Sequence, residues 1–209
     1  MKKLFTLFLL LSSFLFAVST NNILALSWEN TYCKFHHSKE CERRSLYSYN
    51  NFTLHGLWPK NKIYCHSKYK FKLSPLLEMV LQKFMPGAKY GLAWHEWKKH
   101  GTCFGTDAET YFLTAIKLTQ QFNETNFVGF FQTHIGQYVS LARLRFLFGG
   151  TFGNQNRRKF QLLCIHGYIA EIRIPLKGNP VKEGLQELIN NANPMIGVKQ
   201  CQGGIITAP

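Results

Sequence analysis

The spacing of apolar residues along the chain predicts both helices and strands. Apolar positions three or four residues apart, with capping residues at their ends, predict helices. Short runs rich in β-branched and aromatic residues predict strands. Helices are predicted at residues 75–85, 93–100, 106–122, 127–131, 141–148 and 182–191, and strands at residues 26–34, 51–57, 160–165 and 168–174.

The order of these elements predicts the fold class. Strands lie near both ends of the chain and helices cluster in the middle, without alternating βαβ units. This order favours an α+β fold in which a central antiparallel sheet packs with several α-helices. The last two strands are joined at His166-Gly167, which is typical of a hairpin. On the second of these strands Glu171 and Arg173 share one face, and the apolar residues between them share the other.

The N-terminal residues have the layout of a secretory signal. Two lysines precede an apolar run of about 15 residues, and Ala17, Ser19 and Ala25 offer cleavage points. The run is shorter than the roughly 20 residues that span a bilayer, which favours export over an uncleaved membrane anchor. No later segment is long and apolar enough to span. We therefore expect a signal peptide at residues 1–25 and a single domain at residues 26–209.

The charge of the chain is strongly positive. It has 25 Lys and Arg against 11 Asp and Glu, a formal net charge of +14. An excess of this size is typical of proteins that bind polyanions such as nucleic acid, acidic lipid or acidic glycans. Much of it lies in residues 60–72, a segment that we predict to be a basic loop.

The cysteines are even in number and all follow the predicted signal. They are Cys33, Cys41, Cys65, Cys103, Cys164 and Cys201. In an exported chain this predicts three disulfides, although six thiols allow fifteen pairings. The chain has no CxxC motif, so neither a zinc knuckle nor a redox pair is indicated.

Two short segments about forty residues apart carry groups that can transfer protons. The first, TLHGLWP at residues 53–59, contains His55 and Trp58; the second is HEWKKHGTC at residues 95–103. Because a helix turns about 100° per residue, four titratable side chains of the second segment fall within roughly 140° of arc. They are His95, Glu96, Lys99 and His100. Trp97 points away from them, toward the predicted core.

A zinc site is the obvious alternative for the second segment. Metalloprotease helices carry histidines at positions i and i+4, but Lys99 stands four residues after His95 and would repel a divalent cation. Acid–base chemistry fits better. Cleavage of RNA by its own 2′-hydroxyl needs a base and an acid, and imidazole suits both roles. Lys99 is then the cation for the developing charge, whereas Glu96 has several roles open to it: orienting a neighbour or donating a proton.

The two motifs HGLWP and HEWKKHGTC together closely resemble the two active-site segments of the ribonuclease T2 family of secreted, disulfide-bonded endoribonucleases. The signal, the basic charge and the cysteine placement agree with this resemblance. It implies a catalytic domain that needs no metal or cofactor and cleaves single-stranded RNA with low base specificity. The products would be 2′,3′-cyclic phosphates that water opens more slowly to 3′-phosphates. A monomer that is secreted or periplasmic is expected.

The resemblance also implies residue roles. His100 would be the general base and His55 the general acid, although chemical logic alone permits either order. His95 would bind the phosphate, and Glu96 and Lys99 would stabilise the transition state. His95 and Lys99 would thus contact substrate as well as act in catalysis.

Further features of the family would map onto this chain. Trp58 would line the site for a base. The family's usual disulfide pairings would be Cys65–Cys103 and Cys164–Cys201, with Cys33–Cys41 as a plausible third. Two positions depart from some members: Lys60 replaces an acidic residue that helps select a base, and Leu92 replaces an aromatic one.

Two other functions stay open at this point. A cationic secreted protein could coat RNA or membrane with its catalysis lost or incidental, and a nuclease could depend on a metal. Asn51 and Asn123 also stand in glycosylation sequons, which act only in a host that glycosylates exported chains.

Overall fold

A computed structural model describes residues 17–42 and 44–209, which form an α+β fold. The α-helices are α1 Glu29–Phe35, α2 Lys39–Glu42, α3 Leu46–Asn50, α4 Pro75–Phe84, α5 Leu92–Lys99, α6 Ala108–Asn123, α7 Asn126–Thr133, α8 Leu141–Phe152 and α9 Leu185–Asn191. The strands are β1 Asn21–Ser27, β2 Thr53–Pro59, β3 Tyr138–Ser140, β4 Gln161–Ile165, β5 Tyr168–Lys177 and β6 Gly203–Ile205.

The strands form one sheet in the order β2-β1-β5-β6-β3, with β4 also paired to β5. β1 lies between β2 and β5 and is antiparallel to both. β4 and β5 form the predicted hairpin, and its turn residues His166 and Gly167 have positive φ angles of 49° and 83°. β6 pairs in parallel with β5 at Tyr168 and Ile205. The fold class is confirmed, but the sheet is mixed, because the C-terminal tail enters beside β5 in the same direction.

One face of β1, β2 and β5 packs into the core. Leu24 faces Leu57 on β2 and Ile174 on β5, and all three are fully buried. Helix α6 covers this face, and the Tyr111 hydroxyl donates to the Leu57 carbonyl at 2.8 Å. The other face of the same three strands is therefore free to carry polar side chains.

The strand predicted at residues 26–34 is wrong. β1 begins at Asn21 and ends at Ser27, and helix α1 follows at once. Asparagine is depleted in strands, so the two asparagines that begin β1 concealed its start. The boundary expected between residues 25 and 26 falls inside β1, so the folded domain extends at least to Asn21. Residues 1–16, the larger part of the predicted signal, lie outside the described residues.

The helices from α4 onward and the disulfides follow the sequence closely, whereas α1, α2 and α3 were not predicted. The Ser74 hydroxyl caps α4 by accepting from the Leu77 amide, and the Asp107 carboxylate caps α6. The three expected pairings are present: Cys33–Cys41, Cys65–Cys103 and Cys164–Cys201. Among the described residues, no helix combines the length and hydropathy needed to cross a bilayer.

Candidate active site

His55 lies at a β-bulge in the middle of β2. Ala25 of β1 pairs with Gly56, and the next residue of β1 pairs with Leu54, so His55 has no partner in the ladder. A bulge of this kind re-aims a side chain and places two consecutive residues on one face. His55 and Gly56 therefore both lie on the polar face, while the leucines on either side of them stay in the core.

The imidazole of His55 reaches across β1 to a carboxylate on β5. Its Nδ1 atom lies 2.5 Å from Oε2 of Glu171, although neighbouring strands are about 4.8 Å apart and β1 stands between them. The β1 residues on this face are Ala25 and Ser27, whose small side chains leave room for the contact. The guanidinium of Arg173 donates from Nε to Oε1 of Glu171 at 2.5 Å and fixes the carboxylate.

Helix α5 forms the opposite wall of the site. Glu96 and His100 are buried, with only 1% and 7% of their surfaces exposed, whereas Lys99 is half-buried and His95 is exposed. His100 is the C-cap residue, and its amide donates to the Glu96 carbonyl at 2.9 Å. The one-sided arrangement predicted from the helical spacing thus places two of the four titratable groups in the interior and two at its rim.

Glycine ends this helix for a steric reason. A Cβ atom at Gly101 would lie 2.3 Å from the indole of Trp97, which is buried in the core as predicted. The His-Gly pair therefore lets the chain turn away while the His100 ring stays against the site.

The indole of Trp58 joins the two segments. Its Nε1 donates to Oε2 of Glu96 at 2.7 Å. Its ring centroid lies 5.2 Å from that of His55, at an interplanar angle of 82°, and 5.2 Å from that of His100, with which it stacks at 28°. The Cζ atom of Arg173 lies 4.9 Å from the same ring centroid. Folding thus brings both predicted histidines to one aromatic ring.

The pKa of His55 is raised above 6.5. Burial alone would lower it, but the hydrogen bond and the negative charge of Glu171, together with the charge of Glu96, outweigh burial. Arg173 opposes them with a smaller effect. The imidazole of His55 therefore holds its proton to higher pH than a free imidazole does.

The pKa of His100 moves the other way, from 6.5 to about 4. Burial is the largest cause, and the charges of Lys99, His95 and His55 add to it. The Nδ1 atom of His100 is buried without a hydrogen-bond partner among the described residues, so nothing stabilises the charged ring from behind. His100 is therefore neutral over most of the physiological pH range.

The pKa values of the two carboxylates, Glu96 and Glu171, also move in opposite directions. Burial raises the pKa of Glu96 above 4.5, against the opposing charges around it. Burial would also raise the pKa of Glu171, but His55 and Arg173 outweigh it and the pKa is lowered. Glu171 is the permanent negative charge of the site, whereas Glu96 is the carboxylate that takes up a proton more readily.

Sequence reasoning missed Glu171 and Arg173. Two opposite charges alternating along a strand were visible, and on a central strand charged residues need partners. What the sequence did not contain was the partner, because His55 meets Glu171 only through a bulge and an intervening strand.

The basic loop lies directly beside helix α5. The Tyr64 amide donates to the Lys99 carbonyl at 2.8 Å, and the Cys65–Cys103 disulfide fixes the same stretch. Tyr64 itself is 56% exposed. Five lysines of the loop are also exposed: Lys60, Lys62, Lys68, Lys70 and Lys72.

A second concavity opens on the other side of His55. It has a volume of about 160 Å³, and two carboxylates, Glu29 and Glu40, line it together with Tyr32 and Leu92. Burial raises the pKa of Glu29, which accepts a hydrogen bond from the Thr53 hydroxyl at 2.9 Å.

The relatives of this chain are ribonucleases. Ribonuclease I of Escherichia coli is 26% identical over 207 residues, which cover 78% of this chain and 77% of that protein. Ribonuclease T2 of Danio rerio is 33% identical over 116 residues, or 50% of this chain and 45% of that one. The crystal structure of RNase NT in complex with 5′-AMP has the same fold, with a TM-score of 0.64 at 15% identity over 90% of this chain and 98% of that chain.

The fold and these relatives define the protein as an α+β endoribonuclease. Residues 20–182 match the model of the ribonuclease T2 family, and the chain belongs to that family.

Proposed function

We propose that the protein cleaves single-stranded RNA by transphosphorylation, with His100 as the general base and His55 as the general acid. The observation that carries this assignment is the opposite displacement of two imidazole pKa values on either side of Trp58. Groups whose environments push their pKa values apart take the acid and base roles of a reaction. The neutral ring accepts the first proton and the charged ring supplies the second.

The proposed reaction has two proton transfers and one exchange at phosphorus. Nε2 of His100 takes the proton of the ribose 2′-hydroxyl, and the 2′-oxygen forms a bond to phosphorus. The bond from phosphorus to the 5′-oxygen breaks, and Nε2 of His55 gives its proton to that oxygen. Water then opens the 2′,3′-cyclic phosphate with the two histidines in exchanged roles. Each transfer contributes roughly 10²–10⁴ in rate.

Charge stabilisation falls to the remaining residues of helix α5. We assign phosphate binding to His95 and Lys99, whose positive charges already act on the His100 ring. Negative charge grows on the phosphoryl oxygens in the transition state, and fixed cations stabilise it. Glu96, held by the Trp58 indole and of raised pKa, donates a hydrogen bond to one of these oxygens when it is protonated.

Base recognition is proposed to be weak. Trp58 lines the site, but its ring is already in contact with His100 and Arg173. The exposed Tyr64 offers a second aromatic surface beside Lys99. Stacking on aromatic rings tolerates every base, and Lys60 brings no acceptor that would select one.

Export to a secreted or periplasmic location is proposed with a shorter signal peptide than the sequence first indicated. Cleavage at Ala17 or Ser19 keeps β1 whole, whereas cleavage after Ala25 would remove most of it. Three disulfides support this location, because such bonds persist mainly in oxidising compartments. Within this proposal the mature enzyme acts as a monomer.

The decisive experiment is incubation of the purified protein with a defined RNA in excess chelator, followed by mass analysis of the new ends. We expect 2′,3′-cyclic phosphate ends first and 3′-phosphates later. Loss of cleavage in chelator would favour a metal-dependent nuclease. DNA of the same sequence is the control and should stay intact, because it lacks the attacking hydroxyl.

The histidines are tested by His55→Ala and His100→Ala. Each variant should lose cleavage and keep most of its RNA affinity, since neither ring supplies the main phosphate contacts. If both variants cut RNA as the parent does, the assignment is wrong. If the parent binds RNA but never cuts it, the cationic binding protein is the better description.

A further inference from the structure

The side of His55 that faces away from the substrate carries its own hydrogen-bonded pair, Glu171 and Arg173. We propose that Glu171, held in place by Arg173, is the positioning residue that points Nε2 of His55 at the leaving oxygen and makes this histidine the acid. The inference rests on the proposed function and deepens it. It concerns which histidine takes which role, and why.

The geometry fixes the tautomer of His55. Its Nδ1 lies 2.5 Å from Oε2 of Glu171, and an ionised carboxylate only accepts, so Nδ1 is the donor in this bond. The proton that can leave is therefore on Nε2. That atom faces the site, 3.9 Å from Oε1 of Glu96.

His100 has no such partner. Its Nδ1 is buried and makes no hydrogen bond within the part of the chain that the structure describes. The charged ring would be desolvated with no partner to offset the loss, so the neutral ring is favoured. The two histidines thus differ in what stands behind them: a carboxylate behind His55 and nothing behind His100.

Charged groups surround His55 from three elements. Strand β5 contributes Glu171 and Arg173, helix α5 contributes Glu96 and His100, and helix α1 contributes Glu29. Among these described groups only Glu171 hydrogen-bonds to the ring, since the nearest oxygen of Glu96 lies 3.9 Å from Nε2.

Arg173 keeps Glu171 ready for this task. Its Nε donates to the second carboxylate oxygen, and its charge helps to lower the pKa of Glu171. The carboxylate is therefore ionised and cannot rotate away from His55 without breaking this second bond. A free carboxylate in the same buried place would be protonated more easily and would hold the ring less firmly.

The test is a histidine titration by NMR of Glu171→Gln, which keeps the size of the side chain and removes its charge. We expect the pKa of His55 to fall by about 1–3 pH units, the range that one adjacent charge produces. The matched control is Glu187→Gln, the same change on the exposed face of α9, which should leave His55 unaffected. An unaltered His55 titration in a folded Glu171→Gln protein would overturn the inference.

Kinetics provide a second readout. In Glu171→Gln the alkaline limb of kcat/KM should move to lower pH with His55, so activity at pH 7 falls about tenfold for each unit of displacement. KM for RNA should change little. Glu171→Asp keeps the charge, so its alkaline limb should lie closer to that of the parent enzyme. A purely structural residue would lower activity equally at every pH, and that result would also overturn the inference.

The two proposals fail separately. If His55→Ala and His100→Ala are active, the proposed function is wrong whatever Glu171 does. If both are inactive and the pKa of His55 is unchanged in Glu171→Gln, only this inference is wrong.

Discussion

At the scale of single residues, the site depends on a glycine, because no Cβ atom fits at position 56. A Cβ atom at Gly56 would lie 2.1 Å from Oε2 of Glu96 and 2.3 Å from Nε1 of Trp58. These are the two atoms of the hydrogen bond that joins the first motif to the second. The glycine of HGLWP is there because the carboxylate and the indole meet directly above the backbone.

Gly56→Ala should therefore damage activity more than folding. The added methyl group must push Glu96 and Trp58 apart, and a displacement of about 1 Å in a catalytic group costs about 10² in rate. The measurement is kcat/KM on RNA beside the thermal unfolding midpoint. Gly150→Ala is the control, because its Cβ would meet nothing within 4 Å and alanine favours a helix. Equal activity of the two variants would contradict this account of the glycine.

The pH dependence follows from the two histidines. His100 must be neutral to act as base, so kcat/KM should fall as the pH drops through about 4. His55 must be protonated to act as acid, so kcat/KM should fall again as the pH rises above its raised pKa, beyond 6.5. The result is a bell whose plateau spans weakly acidic to neutral pH, measured as kcat/KM because this ratio reports the free enzyme. An acid limb near 6.5 would contradict the burial effect on His100.

At the scale of elements, the sequence predicts features that depend on neighbouring residues, such as helix caps. It does not predict contacts between distant segments. Ser74 and Asp107 cap their helices as expected, because a cap is a contact over three residues. For the same reason, the helical spacing of HEWKKHGTC predicts that Trp97 points into the core, away from the titratable side chains. The start of β1 was misplaced because the strand begins with two asparagines, a residue type that is depleted in strands. The pairing of His55 with Glu171 needs a bulge, a register and two small residues on β1, and no single segment encodes all of these.

The end of helix α6 is tied to the start of β2 by one side chain. The Asn123 amide nitrogen donates to the Phe52 carbonyl at 2.8 Å and to the Tyr47 hydroxyl at 2.7 Å, and its oxygen accepts from the Phe52 amide at 3.0 Å. A glycan on the Asn123 nitrogen would remove at least one of these bonds, so this sequon is ill placed for modification.

Asn123→Ala should lower the free energy of unfolding by about 2–3 kcal/mol, because it leaves partly buried backbone groups without partners. Denaturant unfolding measures this value. Asn126→Ala, at an exposed position three residues on, is the control and should change stability by no more than about 0.5 kcal/mol. Similar losses of unfolding free energy in both variants would show that the Asn123 hydrogen bonds do not stabilise the fold.

At the scale of the whole molecule, charge and chemistry act at different ranges. The net charge of +14 attracts any polyanion, whereas in the proposed mechanism the histidine pair acts on a single phosphodiester. The exposed lysines of the 60–73 loop lie close to the site, because the loop is hydrogen-bonded to the Lys99 backbone. Long RNA should therefore gain from contacts that a dinucleotide never makes.

Salt should separate the two kinds of contact. For a single strand, each phosphate contact contributes about −0.7 to the slope of log affinity against log salt. We expect a steep dependence of KM for long RNA and a shallow one for a dinucleotide that has a single phosphate. Replacing Lys60, Lys62, Lys70 and Lys72 with Gln should flatten the first slope and leave the second alone. Equal slopes for the two substrates would mean that the loop does not touch RNA.

The contact between His55 and Glu171 also orders events during biosynthesis. The two residues are 116 positions apart in the chain, with all of HEWKKHGTC between them. A nascent polypeptide that has already exposed both motifs still lacks the carboxylate and its arginine clamp until β5 leaves the ribosome. Within the proposal for Glu171, His55 gains the carboxylate that positions it only after β5 has been synthesised.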